Sequence, residues 1–440
     1  MTAGEKKVEK KNEEDELDLS ALHAAVAGTA AAFRCITEYQ PAGGPGDKVF
    51  PPTYAGGKYA VEERIIGDRK ASCVILDSVQ SEANHMEMAL LDAWEKRQDG
   101  KRLIELPIIS VEFHLQVKGV HKLIRVTSLE APHRVADAIF RDSLLDKVMF
   151  RKSEKGRLLD TADVRNATGV YKLCPTALLF GLWDSTGPRG GMGAKFQRAI
   201  VSEIVGVDSV PGISTGGKVD SLNILRDAGP LYERNNKSDS LPDWTLDENQ
   251  ARLDKKNKVK VGKNGKPSEA NLGGVTPDFA YAKDTDGTTP RIKGGFTISK
   301  ALQTTVLSLP ALRRLRFPLE SRNDEEQAKV NMTAQSVLAA LGLCAATLAR
   351  EKGVDLRSRC QLVPTSPIVW ELLDVPGDVP KRYTLNGIDA MILFNDAVAK
   401  AKALGLEWEE EIKLTPSSDL LNLVQKSHEI VAETGTEGAE

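Results

Sequence analysis

ASCVILDSVQSEANHMEMALLDAWEK, residues 71–96, opens as a short apolar strand and runs directly into a helix from about Ser78 to Lys96. Val79, Ala83, Met86 and Leu90 recur at helical spacing, so that helix turns one apolar stripe toward a core. Upstream, an Ala-rich helix from Ser20 to Phe33, capped by Ser20, leads into the strand-like FRCITEY. Residues 41–58 are dense in Gly and Pro and form an irregular excursion. Downstream, 103–129 alternates strand-like runs, and 133–145 reads as a helix with Val135, Ala138 and Ile139 inward. CPTALLFGLW (174–183) reads as a buried strand that ends in a glycine loop, with a helix starting near Ala194. From 235 to 296 the pattern collapses into Gly, Asn, Lys, Asp and Pro, which marks a long insertion. Periodicity returns with TISKALQTTVLSLPALRRLRF, a long helix over 325–351, strands near 359–373 and two C-terminal helices. Strands and helices mix without strict alternation, so the expected fold class is α+β. The expected division is a charged tail (1–18), a first part of the main body (19–234), the irregular basic insertion (235–296), the remainder of the body (297–432) and a second tail (433–440).

The chain has 440 residues, 41% of them hydrophobic, enough for a real core and against global disorder. With 59 basic against 62 acidic residues the net charge is −3, so any polyanion site must come from local segregation of charge. Five scattered cysteines, with no CxxC pair, argue against a disulfide framework or a thiolate zinc site and fit a reducing cytoplasm. The lysines near the N-terminus precede no apolar stretch, so no signal peptide is expected. Asn331–Ala349 carries no charge, but Asn331, Thr333, Gln335, Ser336 and Thr347 interrupt it, so it reads as a buried helix and not a membrane span. A soluble, cytoplasmic protein is expected.

Among segments that could carry chemistry, DSTGPRGGMGAKFQR (184–198) is the most informative. Gly187, Gly190, Gly191 and Gly193 let backbone N–H groups approach a ligand, and Arg189, Lys195 and Arg198 add positive charge. A nucleotide-binding P-loop needs GxxxxGK[ST]; here Ala194 separates Gly193 from Lys195, and Phe196 stands where the hydroxyl belongs. A cradle for oligonucleotide phosphates fits the same residues without magnesium, and a plain flexible loop fits them too. GISTG (212–216) matches a nucleophile elbow in letters only, since Pro211 breaks the strand before Ser214; an ordinary glycine turn is expected. The six histidines show no ligand spacing, and no carboxylate pair stands out, so no metal is expected. Basic side chains gather in 147–157, in 252–266 and at Arg313, Arg314 and Arg316. On the helix expected at 133–145, Arg134, Asp137 and Arg141 share a polar face, where Asp137 and Arg141 form a surface pair.

Four blocks then carry a resemblance: LDSVQSEANHME (76–87), APHRVADAIFRDSLLD (131–146), PTALLFGLWDSTGPRGGMGAKFQRAIVSEIVGVD (175–208) and QTTVLSLPALRRLRFP (303–318). Together, over roughly Phe33 to Leu373, the chain closely resembles the backbone subunit of type I-G (formerly I-U) CRISPR Cascade, the Cas-seven member of the RAMP superfamily. The resemblance implies a ferredoxin-like (RRM-like) palm, helical fingers and an inserted β-hairpin thumb, at 41–58 or 235–296. It also implies copies stacked along a CRISPR RNA that is presented for pairing with target DNA. Other implied partners are the large subunit, a guide-processing end subunit and a helicase-nuclease effector, with no membrane and no cofactor. On that reading Arg189, Gly191, Lys195 and Arg198 contact phosphate, Gln80, Ser81 and Asn84 touch sugar or phosphate, and Arg134, Arg141, Arg151 and Lys152 follow. Related type III subunits cut RNA with a carboxylate on a loop, and Asp184 is loop-adjacent here. The type I resemblance implies a scaffold with no catalytic residue. A metal ribonuclease through Asp184 and a nucleotide-binding protein through the glycine loop are the alternatives.

Overall fold

The computed structural model describes residues 14–185, 193–280 and 294–434, apart from positions 226, 237, 239, 256, 352 and 410. Its principal elements begin with α1 (Leu19–Ala27), β1 (Ala32–Pro41), β2 (Val61–Ile66), β3 (Arg69–Asp77) and α2 (Val79–Glu95). There follow β4 (Ile108–Val117), β5 (Val120–Thr127), α3 (Pro175–Phe180), β6 (Ile200–Val207), β7 (Lys300–Ser308) and α4 (Asp324–Arg350). The chain closes with β8 (Val369–Leu373), β9 (Lys381–Thr384), α5 (Gly387–Lys402), β10 (Glu411–Pro416) and α6 (Ser418–Thr434). The class is mixed α+β, as expected.

The chain forms two compact units. In the larger one, the main sheet runs β9-β8-β1-β7-β6-β3-β2 with every neighbouring pair antiparallel. Asp15–Glu16 adds a parallel edge on β9 and Leu17 is buried, so the tail expected to reach residue 18 is ordered from its described part onward; 1–13 and 435–440 lie outside the described residues. Burial alternates along β1 and β7, as a sheet covered on one face requires. Phe33, Cys35, Thr37 and Tyr39 pack with Ala301, Gln303, Thr305 and Leu307 beneath α2 and α4. A second sheet carries β5 and β4 antiparallel, β10 parallel to β4, and the short strands Ser143–Leu145 and Val148–Met149 beyond it.

The long helix α4 starts at a capping box between Asn323 and Glu326 and is buried almost all round from Thr333 to Thr347. Its length and apolarity would suit a membrane span, yet 83% of its apolar window is buried inside the protein, which makes it a core helix.

Several local expectations are corrected. Asp18, whose side chain accepts from the Ala21 N–H at 2.7 Å, caps α1 in place of Ser20, and the helix ends at Ala27. Residues 133–145 are three pieces: a 3₁₀ turn at Arg134–Ala136, one α-turn at Ala138–Arg141 and a strand at Ser143–Leu145. Asp137 causes the break, because its carboxylate caps Ile139 and also accepts from the His133 N–H. Residues 175–180 are helical, with Pro175 in the first turn where its missing N–H costs nothing. No helix starts near Ala194; Lys195–Phe196 is a strand paired with Leu182–Trp183, and the β-branched IVSEIVGV continues as β6. Ser214 lies in a strand, Ser214–Lys218, and not in a glycine turn.

The second unit comprises Gly56–Tyr59 and Val210–Thr297, so it begins at Val210 and not at 235. Short antiparallel pairs build it: 210–211 with 296–297, 214–218 with 275–280, 232–233 with 244–245 and 253–254 with 257–258. Of its basic run, Arg252 pairs with Glu233 and Lys258 with Glu248, while Lys255, Lys260 and Lys263 are exposed.

Candidate functional site

At the end of α3, Gly181 takes a φ of +96°, a turn open to glycine, and delivers the chain into Leu182–Trp183. That strand pairs antiparallel with Lys195–Phe196, Leu182 opposite Phe196 and Trp183 opposite Lys195. Residues 186–192 between them, with Arg189 and Gly191, lie outside the described residues. Gly193 is required at the return, since a Cβ there would collide with the Asp184 carbonyl. The described residues on either side of that segment are thus paired strands, and Lys195 does not open a helix. Two arginines hold the root of this strand pair: Arg134 Nη1 donates to the Gly181 carbonyl and Arg198 Nε to the Phe180 carbonyl, each at 3.1 Å. Pro132, His133, Arg134, Trp183, Lys195 and Arg198 line a cleft of about 370 Å³ beside it.

The expected RNA-gripping cations divide by their partners. Arg134 is buried and grips Glu87 with two hydrogen bonds of 2.7 and 2.8 Å. Burial pushes the Glu87 carboxyl up, with Arg134 opposing. Arg151 is also buried, 2.7 Å from Asp160 and 2.8 Å from Asp184. Arg141 pairs with its neighbour Asp142 at 2.7 Å and not with Asp137. Lys152 and Lys195 are exposed, and Arg198 is half-buried with only a carbonyl contact. Among the described residues these three have no acidic partner within ion-pair distance. Gln80 and Asn84 are exposed on α2 and Ser81 is half-buried, but none of them lines the cleft. Asp184, 2% exposed, is committed to Arg151 and donates its backbone N–H to the Ala194 carbonyl.

Sequence reasoning missed Trp183, which is 57% exposed at the cleft mouth. The signal was present: an aromatic residue directly before a glycine loop, with cations on the return strand. It also missed a polar cluster beneath the sheet. Ser202 Oγ and Gln303 Nε2 donate to Glu82, the Tyr39 hydroxyl donates to Gln303, and Arg350 Nη1 donates to Thr305. Asp77, Glu82 and His85 bring their ligand atoms within 4.8 Å of one another, with His85 Nδ1 2.8 Å from Asp77 Oδ2. Burial first, then the neighbouring Asp77 carboxyl, pushes Glu82 up to about 7, and Asp77 raises the His85 imidazole. These positions fall at 77, 82 and 85, a spacing that straddles a strand end and a helix and so does not show as a motif.

The elements define a mixed α+β protein whose antiparallel main sheet lies under buried helices, with a cationic, aromatic-edged cleft at a hairpin root. Residues 33–211 match the family model described as CRISPR-associated protein GSU0053. That matched segment contains every residue lining the cleft. Comparison with curated proteins gives no match.

Proposed function

We propose that this chain is the guide-RNA-binding backbone subunit of a type I Cascade surveillance complex, of the Cas-seven kind and type I-G, and that it performs no catalysis. The observation that carries the reading is the cleft at the hairpin root. Among the described residues its Lys195 and Arg198 have no acidic partner within ion-pair distance, and it lies inside the segment matched to a CRISPR-associated family. Supporting it, β1, α2, β6, β7, α4 and β8 occur in that chain order, with other elements between them, and their strands lie in the order β8-β1-β7-β6. That order supports reading the sheet as a ferredoxin-like palm. The unit inserted between β6 and β7 is then the thumb, in preference to the 41–58 excursion, because it has strands of its own. Copies of the chain would stack along the guide in the cytoplasm and leave sequence recognition to base pairing with target DNA. The large subunit, the guide-processing end subunit and the helicase-nuclease effector complete the assembly.

Two observations favour a scaffold over the enzymatic alternatives. Asp184, the carboxylate a ribonuclease would use, is buried against Arg151 and so competes with a cation already in place. The glycine loop returns as a strand, so a helix dipole does not stand behind it to hold a nucleoside triphosphate.

Charge reversal tests the RNA grip. Lys195→Glu with Arg198→Glu should weaken guide binding alike for unrelated spacers and reduce the slope of log affinity against log salt by about two, one per lost phosphate contact. Loss restricted to one spacer would show base reading instead. Cleavage of guide-complementary RNA in magnesium by the assembled complex, abolished by Asp184→Asn, would overturn the non-catalytic reading.

A further inference from the structure

We infer that Trp183 is a stacking platform for an unpaired nucleobase of the bound strand, so that the cleft takes a whole nucleotide and not a phosphate alone. The inference rests on the RNA-binding reading and specifies what that site contacts.

Trp183 is out of place for a structural tryptophan. Trp94 and Trp370 are 2% and 0% exposed, and Trp244 and Trp408 are half-buried, whereas Trp183 is 57% exposed. Burying an indole is among the largest apolar gains a side chain offers, so an indole left in water at a cleft marks a surface meant to be covered. A cation stands beside it. Lys195 stands directly across the hairpin with its ammonium 5.4 Å from the ring centroid. A nucleotide presents two matching parts, a flat base for the indole and an adjoining phosphate for Lys195 and Arg198.

The platform is also held still. The adjoining cross-strand pair Leu182 and Phe196 is buried at 5% and 4%, which anchors both strands next to the ring. Arg134 and Arg198 fix the carbonyls of Gly181 and Phe180, just before it. An indole whose backbone is fixed before binding loses little freedom on stacking, so the contact goes into affinity. The cleft, about 370 Å³, is within the range of small-ligand sites. Because every base has a π-face, a Trp platform suits a subunit that must accept any spacer sequence.

The test uses the full chain and two short single-stranded probes, an oligouridylate and the same oligomer with abasic positions, read by fluorescence anisotropy across a salt series. Trp183→Ala should weaken the oligouridylate by about 10-fold, one stacked base, with an unchanged salt slope. It should leave binding of the abasic probe unaltered, and Trp183→Phe should recover most of the loss. Equal binding by wild type and Trp183→Ala overturns the platform. Equal weakening on both probes also overturns it, because Trp183 would then act through the hairpin's shape. In either case a loss with Lys195→Glu and Arg198→Glu keeps the RNA reading alive. Failure of the wild-type chain to bind either probe overturns the RNA reading itself.

Discussion

Each nitrogen of the Arg134 guanidinium donates inside the protein: Nε and Nη2 to Glu87 and Nη1 to the Gly181 carbonyl. It does so from a backbone φ of +51°, a conformation that non-glycine residues adopt at a cost. A side chain so engaged holds the site together and is not offered to a ligand. Arg134→Ala would leave Glu87 buried without a cation, and it should destabilise the protein by about 3–5 kcal/mol in chemical denaturation. Lys152→Ala, at an exposed position, should stay within about 0.5 kcal/mol of wild type in the same assay. Glu82 makes a prediction about pH. Folded, it keeps its proton up to about 7; unfolded, it releases it near 4.5. Between those values the folded state binds more protons, so this group's stabilising contribution is whole below 4.5 and is lost as pH rises toward 7. Glu82→Gln keeps acceptors for Ser202 and Gln303 and removes the proton. Melting temperatures from pH 5 to 8 should therefore show the variant gaining on wild type with rising pH, by at most about 1.4 kcal/mol per pH unit. A constant offset would show that Glu82 is charged throughout.

Among the elements, α2 was readable because its periodicity is sustained over 17 residues, and its apolar stripe Ala83, Met86 and Leu90 is buried as expected. Glu82 and Glu87 lie buried beside that stripe, and no spacing rule foresees them, since their partners come from β6, β7 and the turn at Arg134. The segment 175–180 was misread for the opposite reason. All six residues are buried, so they show no polar–apolar period, and only packing decides between strand and helix. The glycine-rich 184–194 was recognised as a site but placed before a helix; its strand partner, Leu182–Trp183, is itself too short to announce a hairpin. The hairpin has its own prediction. Gly193→Ala would press a methyl group into the Asp184 carbonyl, and the overpacking should cost about 1–3 kcal/mol. Thermal denaturation measures it, and RNA affinity should fall with it because Trp183 and Lys195 lose their register. A variant as stable as wild type would mean that the return strand shifts freely.

For the whole molecule, a net charge of −3 coexists with a cleft where, among the described residues, Lys195 and Arg198 have no acidic partner within ion-pair distance while Arg134 is paired with Glu87. Among the described residues, the main hydrophobic core is built from residues up to Ile200 and from Leu307 onward. Replacing residues 210–297 by a short turn should leave a folded protein, with a cooperative melt in calorimetry and retained affinity for short RNA. On the reading of this unit as the thumb, size-exclusion chromatography with full-length guide should show the loss of ordered assembly. A molten product would show that the sheet needs the insertion. The geometry at that junction has a practical side. The strands β6 and β7 leave and re-enter the sheet as neighbours, with Val207 opposite Lys300, so whatever joins them begins and ends at one place. Closing a flexible connection there costs only about 0.6 kcal/mol more for each doubling of its length. The junction is therefore a cargo port, where a reporter or a recruiting peptide can ride on the chain without the sheet registering its size.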